Sequence, residues 1–242
     1  YLWGAVGLQA VLILGISSNL SSCLILLLMV FVLTFIVGKH PKIHMIIAAA
    51  GIVLVVIFIM WLKANMPLES EMDKYPYQIR RFFGWLDPER YAGTLGYQPL
   101  QSLYAIGSGG LLGKGLGNGT QKLSNIPEAQ NDMIFAIICE ELGLIGVIIM
   151  FLMFGYLLYQ MVIVVKESRN IYASVVVIGV ILHIIFQIIV NVCVAVNFFP
   201  NTGVSLPFIS AGGSAIICTL MEIGLVIGIR RQQVNRKYSK IS

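Results

Sequence analysis

LGLIGVIIMFLMFGYLLYQMVIVV, residues Leu142–Val165, runs without a single charge, and after a short break IYASVVVIGVILHIIFQIIVNVCVAV, Ile171–Val196, does the same. A bilayer core about 30 Å thick is crossed by about 20 apolar residues of helix. In lipid every backbone polar group needs an internal partner, which at these lengths leaves only the helix. The two stretches therefore predict antiparallel membrane helices joined by Lys166–Asn170.

Working outward, four more segments come near that length: Leu2–Ile16, Leu20–Val37, Ile43–Leu62 and Ser214–Ile229. The span containing Leu142–Val165 begins at Met133. That is long for one perpendicular crossing, so its first turns, with Glu140 and Glu141, are expected at or above the membrane interface. The predicted class is all-α: a polytopic bundle of about six spans, one integral membrane domain over residues 1–242, with a large loop at 63–132. Composition agrees. The chain is 58% hydrophobic and 11% charged, against about 25% charged in soluble domains. The net charge of +5 points to no nucleic acid, because basic residues at span ends serve orientation. Lys39, Lys42, Lys166, Arg169, Arg230, Arg231, Arg236, Lys237 and Lys240 fall on one side of an alternating six-span chain. That side is then cytoplasmic, both ends of the chain lie there, and the 63–132 loop lies outside. The chain starts inside an apolar run, which suggests that further spans precede it. Cys23, Cys139, Cys193 and Cys218 lack paired or metal-ligand spacing and read as small core residues.

Chemistry is expected in the loop. Gly107, Gly109, Gly110, Gly113, Gly115, Gly117 and Gly119 crowd together, with Lys114 among them and Lys122 just after. Such a run either cradles a phosphate with backbone N–H groups or makes a tight irregular loop packed on the membrane. It fits neither Walker A nor GxGxxG. Before the long span stands Pro127-Glu128-Ala129-Gln130-Asn131-Asp132. Here the common reading is a helix N-cap; the functional one is a carboxylate at the bilayer surface acting as general base with a raised pKa. Glu140 and Glu141 call for a cation, with Lys114, Lys122, Arg80 and Arg81 as candidates, in a structural pair or a catalytic one. Tyr75–Trp85, aromatic and basic, suits a segment lying on the membrane. His183, Gln187 and Asn191 share one helix face, which reads as interhelical glue or the lining of a substrate path; Glu222 poses the same question. Asn201–Ser214, NTGVSLPFISAGGS, reads as a re-entrant or packed loop whose backbone protein must cover.

Two long motifs then carry a resemblance. GWLDPERYAGTLGYQPLQSLYAIGSGGLLGKGLGNGTQKLSNIPEAQNDMIFAIICEELGLIG at Gly84–Gly146 and TGVSLPFISAGGS at Thr202–Ser214 resemble the SEDS family (shape, elongation, division and sporulation), and its FtsW/SpoVE branch more than RodA. The resemblance implies the last six spans of a ten-span fold. It implies a peptidoglycan glycosyltransferase of the bacterial cytoplasmic (inner) membrane. Its substrates would be lipid II and the growing glycan strand, its surroundings membrane lipid, and its partner a class B penicillin-binding protein transpeptidase. The family's essential aspartate maps onto Asp132, where Asn131-Asp132-Met133 replaces the usual T-D-F. Ser18-Asn19-Leu20-Ser21-Ser22 stands at the family's P-D-L-G-T without its aspartate, and Ala211 replaces the Tyr of PFISYGGS.

Transfer from a lipid diphosphate needs a base on the attacking hydroxyl but no general acid, since diphosphate leaves as a stable anion. Asp132 is the expected base of an inverting transfer, and Lys114, Lys122, Arg80 and Arg81 are the expected diphosphate cations. Glu128, Gln98, Gln101, Glu140 and Ser210 complete the expected substrate contacts. A divalent cation, Mg or Mn, is a candidate aid with no evident ligand cluster. A lipid-linked precursor transporter and a non-catalytic scaffold for a transpeptidase are the alternatives.

Overall fold

The computed structural model describes residues 7–9, 20–38, 41–121 and 130–238. Among them run seven α-helices: α1 (Leu20–Val37), α2 (Pro41–Ala64), α3 (Tyr77–Leu86), α4 (Tyr97–Gly109), α5 (Ile134–Glu167), α6 (Ile171–Ala195) and α7 (Gly213–Tyr238), with a 3-10 turn at Glu69–Lys74. Pro41 opens α2, where a missing N–H costs nothing. Asn170 caps α6 by accepting from the Tyr172 N–H at 3.0 Å. α2, α5, α6 and α7 are long and apolar enough to cross a membrane, and α1 is a shorter apolar helix. The protein is a polytopic helical membrane protein. The predicted Leu20–Val37 matches α1, while most of the predicted Leu2–Ile16 lies outside the described residues.

α5 and α6 form the centre, with α4 laid along α5 and α1 along α6. Their shared core holds Phe135, Met150, Phe154, Val177, Ile184 and Leu206. Cys23 and Cys139 are buried, as small core residues should be; Cys193 is half-buried and Cys218 exposed. α2 stands apart. Leu62 is its buried residue, and its other apolar side chains face outward, as a helix bathed in lipid can.

Two ends of the bundle are distinct. One, the basic end, gathers Lys42, Lys166, Arg169, Arg230 and Arg231. Here α7 runs on as helix to Tyr238, past the predicted end at Ile229, because no glycine or proline follows to stop it. Arg230 pairs with Glu167, and Gln233 donates to the Val164 carbonyl at 3.1 Å. The other, the loop end, carries residues 65–121 and 130–132. Its first part is well packed: Leu62, Met72, Phe83 and Tyr91 make a small core of their own, and the Tyr91 hydroxyl donates to the Pro67 carbonyl at 2.7 Å. The 201–212 segment is irregular yet covered, with Leu206 and Ser210 buried.

Candidate functional site at the loop end

The turn before α5 carries Asp132, and three neighbours pin it. Asn191 of α6, fully buried, donates to the Asp132 carbonyl and to the Val204 carbonyl, both at 2.8 Å. The Ser210 hydroxyl donates to the Asn131 carbonyl at 2.6 Å while accepting from the Leu206 N–H at 2.7 Å. The Ala211 N–H donates to the Gln130 carbonyl at 2.9 Å. One turn is thus stitched to a helix and a loop through its main chain. Met133 occupies the cap position of α5, with no side-chain cap bond. Asp132 keeps 8% of its surface exposed. Its backbone is held in place by Asn191.

Lower on α5, the helix breaks at Gly143 (φ 63°, ψ −164°). An intact helix would bond the Leu144 N–H to the Glu140 carbonyl and the Ile145 N–H to the Glu141 carbonyl. The glycine run takes over all four groups. Lys114 and Gly115 N–H groups donate to the Glu140 and Glu141 carbonyls, both at 2.9 Å. The Leu144 and Ile145 N–H groups donate to the Gly110 and Leu111 carbonyls at 3.0 and 3.2 Å. This demands glycine at the contact: a Cβ at Gly109 would strike the Cys139 carbonyl, and one at Gly113 (φ 74°) the Glu141 carbonyl. Of the two readings of the run, the packed loop is the one built here.

Glu140 belongs to the same junction. Its side chain is fully buried and accepts from the Lys114 ammonium at 2.7 Å, the Thr120 N–H and hydroxyl at 3.0 Å each, and the Gln121 N–H at 3.2 Å. Through these bonds it anchors the glycine loop. Lys114 remains one-third exposed, so its ammonium is shared between that anchor and the surface. Ser210, buried with donor and acceptor both used, is likewise a positioning residue.

Arg80 pairs with Asp73 at 2.6 Å. Arg81 has a different set of contacts. Its guanidinium lies 4.6 Å from the Tyr77 ring centroid and donates to the Tyr77 hydroxyl at 3.1 Å. It lines a cavity with Trp85, Gln98 and Asn201, and the Asn201 amide donates to Gln98 Oε1 at 2.5 Å. Gln101 is half-buried on α4. Lys122 and Glu128 lie outside the described residues. Sequence reasoning missed Asn201 and Trp85 as site residues; an Asn five residues before the LPFIS run carries no signal on its own. The polar groups within the spans pair with each other: His183 Nδ1 meets Glu222 Oε1 at 2.7 Å, and Gln187 Nε2 meets His183 Nε2 at 3.1 Å. Among the described residues no three His, Cys, Asp or Glu side chains converge on a point, so these residues offer no cage for a divalent cation.

The profile of the FtsW/RodA/SpoVE family, described as cell cycle proteins, matches residues 2–235. The chain belongs to this family. Among FtsW/RodA/SpoVE relatives it is 41% identical to stage V sporulation protein E of Bacillus subtilis over 156 residues, 64% of this chain and 43% of that protein. It is 38% identical over 163 residues to the probable peptidoglycan glycosyltransferase FtsW of Coxiella burnetii, 66% of this chain and 44% of that one. The like-named protein of Trichlorobacter lovleyi is 32% identical over 201 residues, 79% of this chain and 53% of that one. A chain from a structure described as "Structural coordination of polymerization and crosslinking by a peptidoglycan synthase complex" superposes with a TM-score of 0.70 at 26% identity, covering 96% of this chain and 62% of that one. The chain spans about half the length of the curated relatives it matches.

Proposed function

We propose that this chain forms part of a peptidoglycan glycosyltransferase that polymerises lipid II, with Asp132 as its general base. The observation that carries the reading is the turn 130–132, fixed from two sides by Asn191 and by the 206–211 loop. A base must hold its geometry while a proton moves, and a main-chain clamp fixes where the carboxylate is carried. The names of the FtsW relatives support the same activity.

In this mechanism the Asp132 carboxylate takes the proton of the attacking sugar hydroxyl. The hydroxyl oxygen bonds to the anomeric carbon as the bond to the lipid diphosphate breaks, and the configuration inverts. The diphosphate departs as an anion, steadied by the exposed side of the Lys114 ammonium. The converging donors needed for a metal are not assembled by the described residues, so no step runs through one. The basic end faces the cytoplasm by the positive-inside rule. That orientation supports a site on the outer face of the bacterial inner membrane, where a class B penicillin-binding protein would cross-link the product.

The test is polymerisation of lipid II by purified protein. Asp132→Asn is expected to lower the rate by about 10²–10⁴ with unchanged elution and melting temperature. Glycan output near that of the parent would overturn the assignment.

A further inference from the structure

Between α3, α4 and the 197–202 segment lies a cavity of about 130 Å³. That is far more than the roughly 10–15 Å³ a single water needs, and well short of the ~300–1,000 Å³ of pockets that enclose a whole drug-sized ligand. It admits an end group. Its wall carries one cation, Arg81, and no acid. Trp85, Leu95 and Pro99 supply apolar surface; Tyr77, Thr94, Gln98 and Asn201 supply polar groups.

Arg81 is the informative residue. Neighbouring Arg80 has a carboxylate partner in Asp73. Among the described residues Arg81 has none: its contacts are the Tyr77 hydroxyl and, at 3.5 Å, the Asn201 carbonyl. A guanidinium has five N–H donors in a planar fork, so most of the fork remains to be used. The acid nearest the wall, Glu69, is turned to the Thr94 hydroxyl at 3.1 Å. The guanidinium is held at the wall by Tyr77, 4.6 Å from the ring centroid and bonded to its hydroxyl, and its planar fork suits a bidentate acceptor.

We propose that this cavity binds a carboxylate at the free end of a peptide, as borne by the peptidoglycan precursor; the identity of that peptide rests on the function proposed above. A carboxylate matches the site better than a phosphate. One cation balances one negative charge, the fork matches two coplanar oxygens, and the indole and proline walls suit a small aliphatic side chain beside them. Asn201 is three residues from Val204, whose carbonyl shares Asn191 with Asp132. The cavity thus sits on the same loop that clamps the proposed base, and it would hold the peptide while the sugar reacts.

The probe is acetyl-dialanine with a free carboxylate, read by indole emission in a Trp3→Phe/Trp61→Phe background, where Trp85 alone reports. Saturable change is expected, at least ~10-fold weaker for the carboxamide analogue and for Arg81→Gln, as losing charge-assisted hydrogen bonds implies. Arg81→Lys is expected to fall between. Inorganic pyrophosphate at the same concentrations should not displace the probe. Equal binding of the carboxamide, displacement by pyrophosphate, or no saturable change overturns the proposal. Asp132→Asn should bind the probe like the parent. A dead Asp132→Asn with no probe binding refutes the cavity alone; an active one refutes the base whatever the probe does.

Discussion

Replacing glycines one at a time separates the two things the 107–119 run does. Gly107 sits inside α4 with open space around it, so Gly107→Ala should be neutral or stabilising by about 0.5–1 kcal/mol through helix propensity. Gly117 has φ 82° and nothing near its missing Cβ, so Gly117→Ala costs only the left-handed strain, about 1–2 kcal/mol. Gly113→Ala meets the same strain at φ 74° and drives a methyl into the Glu141 carbonyl. Relief means parting the loop from α5, which orphans the Glu140 and Glu141 carbonyls at about 1–3 kcal/mol each. The expected total is roughly 3–8 kcal/mol from these terms. Melting followed in detergent by size-exclusion chromatography should rank Gly107→Ala at or above the parent, then Gly117→Ala, then Gly113→Ala far below. If Gly113→Ala melts with Gly117→Ala, the loop does not complete the broken helix and the junction described here is wrong.

Asn191→Leu keeps the size of the side chain but removes both amide bonds, orphaning the Asp132 and Val204 carbonyls. It should lower the melting temperature by an amount matching about 2–4 kcal/mol and reduce polymerisation even though the carboxylate is intact. Full activity in this variant would show that the clamp is not needed. Lys114→Met strips the cation from a fully buried Glu140 and should destabilise by about 3–5 kcal/mol, whereas Lys114→Met/Glu140→Gln should recover part of that loss in the same melting assay.

The spans were legible because lipid leaves so little choice. Leu20–Val37 and Ile171–Val196 could be bounded from apolar length alone, and Lys166–Asn170 from its charges. Asp132 was legible as a residue, but an Asp before an apolar run is so often a cap that its type and place in the chain do not choose between a cap and a base. The glycine run was ambiguous for a deeper reason. What it binds is a pair of carbonyls 26 residues later in the chain, Glu140 and Glu141, and a pair of backbone N–H groups 34 residues later, Leu144 and Ile145. Main-chain partners leave no side-chain signature, and Gly143 is one of three glycines in that apolar span. The partner of Glu140 could be narrowed to four cations from the sequence; choosing Lys114 required the loop's path. Arg81 and Gln98 stood out as polar residues, but their meeting with Asn201 spans a hundred residues of chain and had no local trace.

The broken helix also bears on biogenesis. A ribosome delivers residues 109–115 before α5 emerges, so the segment that completes the span is already across or at the membrane when the span arrives. Insertion and docking then become one event: α5 released into lipid without its predecessor would expose four raw backbone groups to hydrocarbon. Splitting the gene between Gly115 and Ile134 should thus yield halves that assemble only when made together.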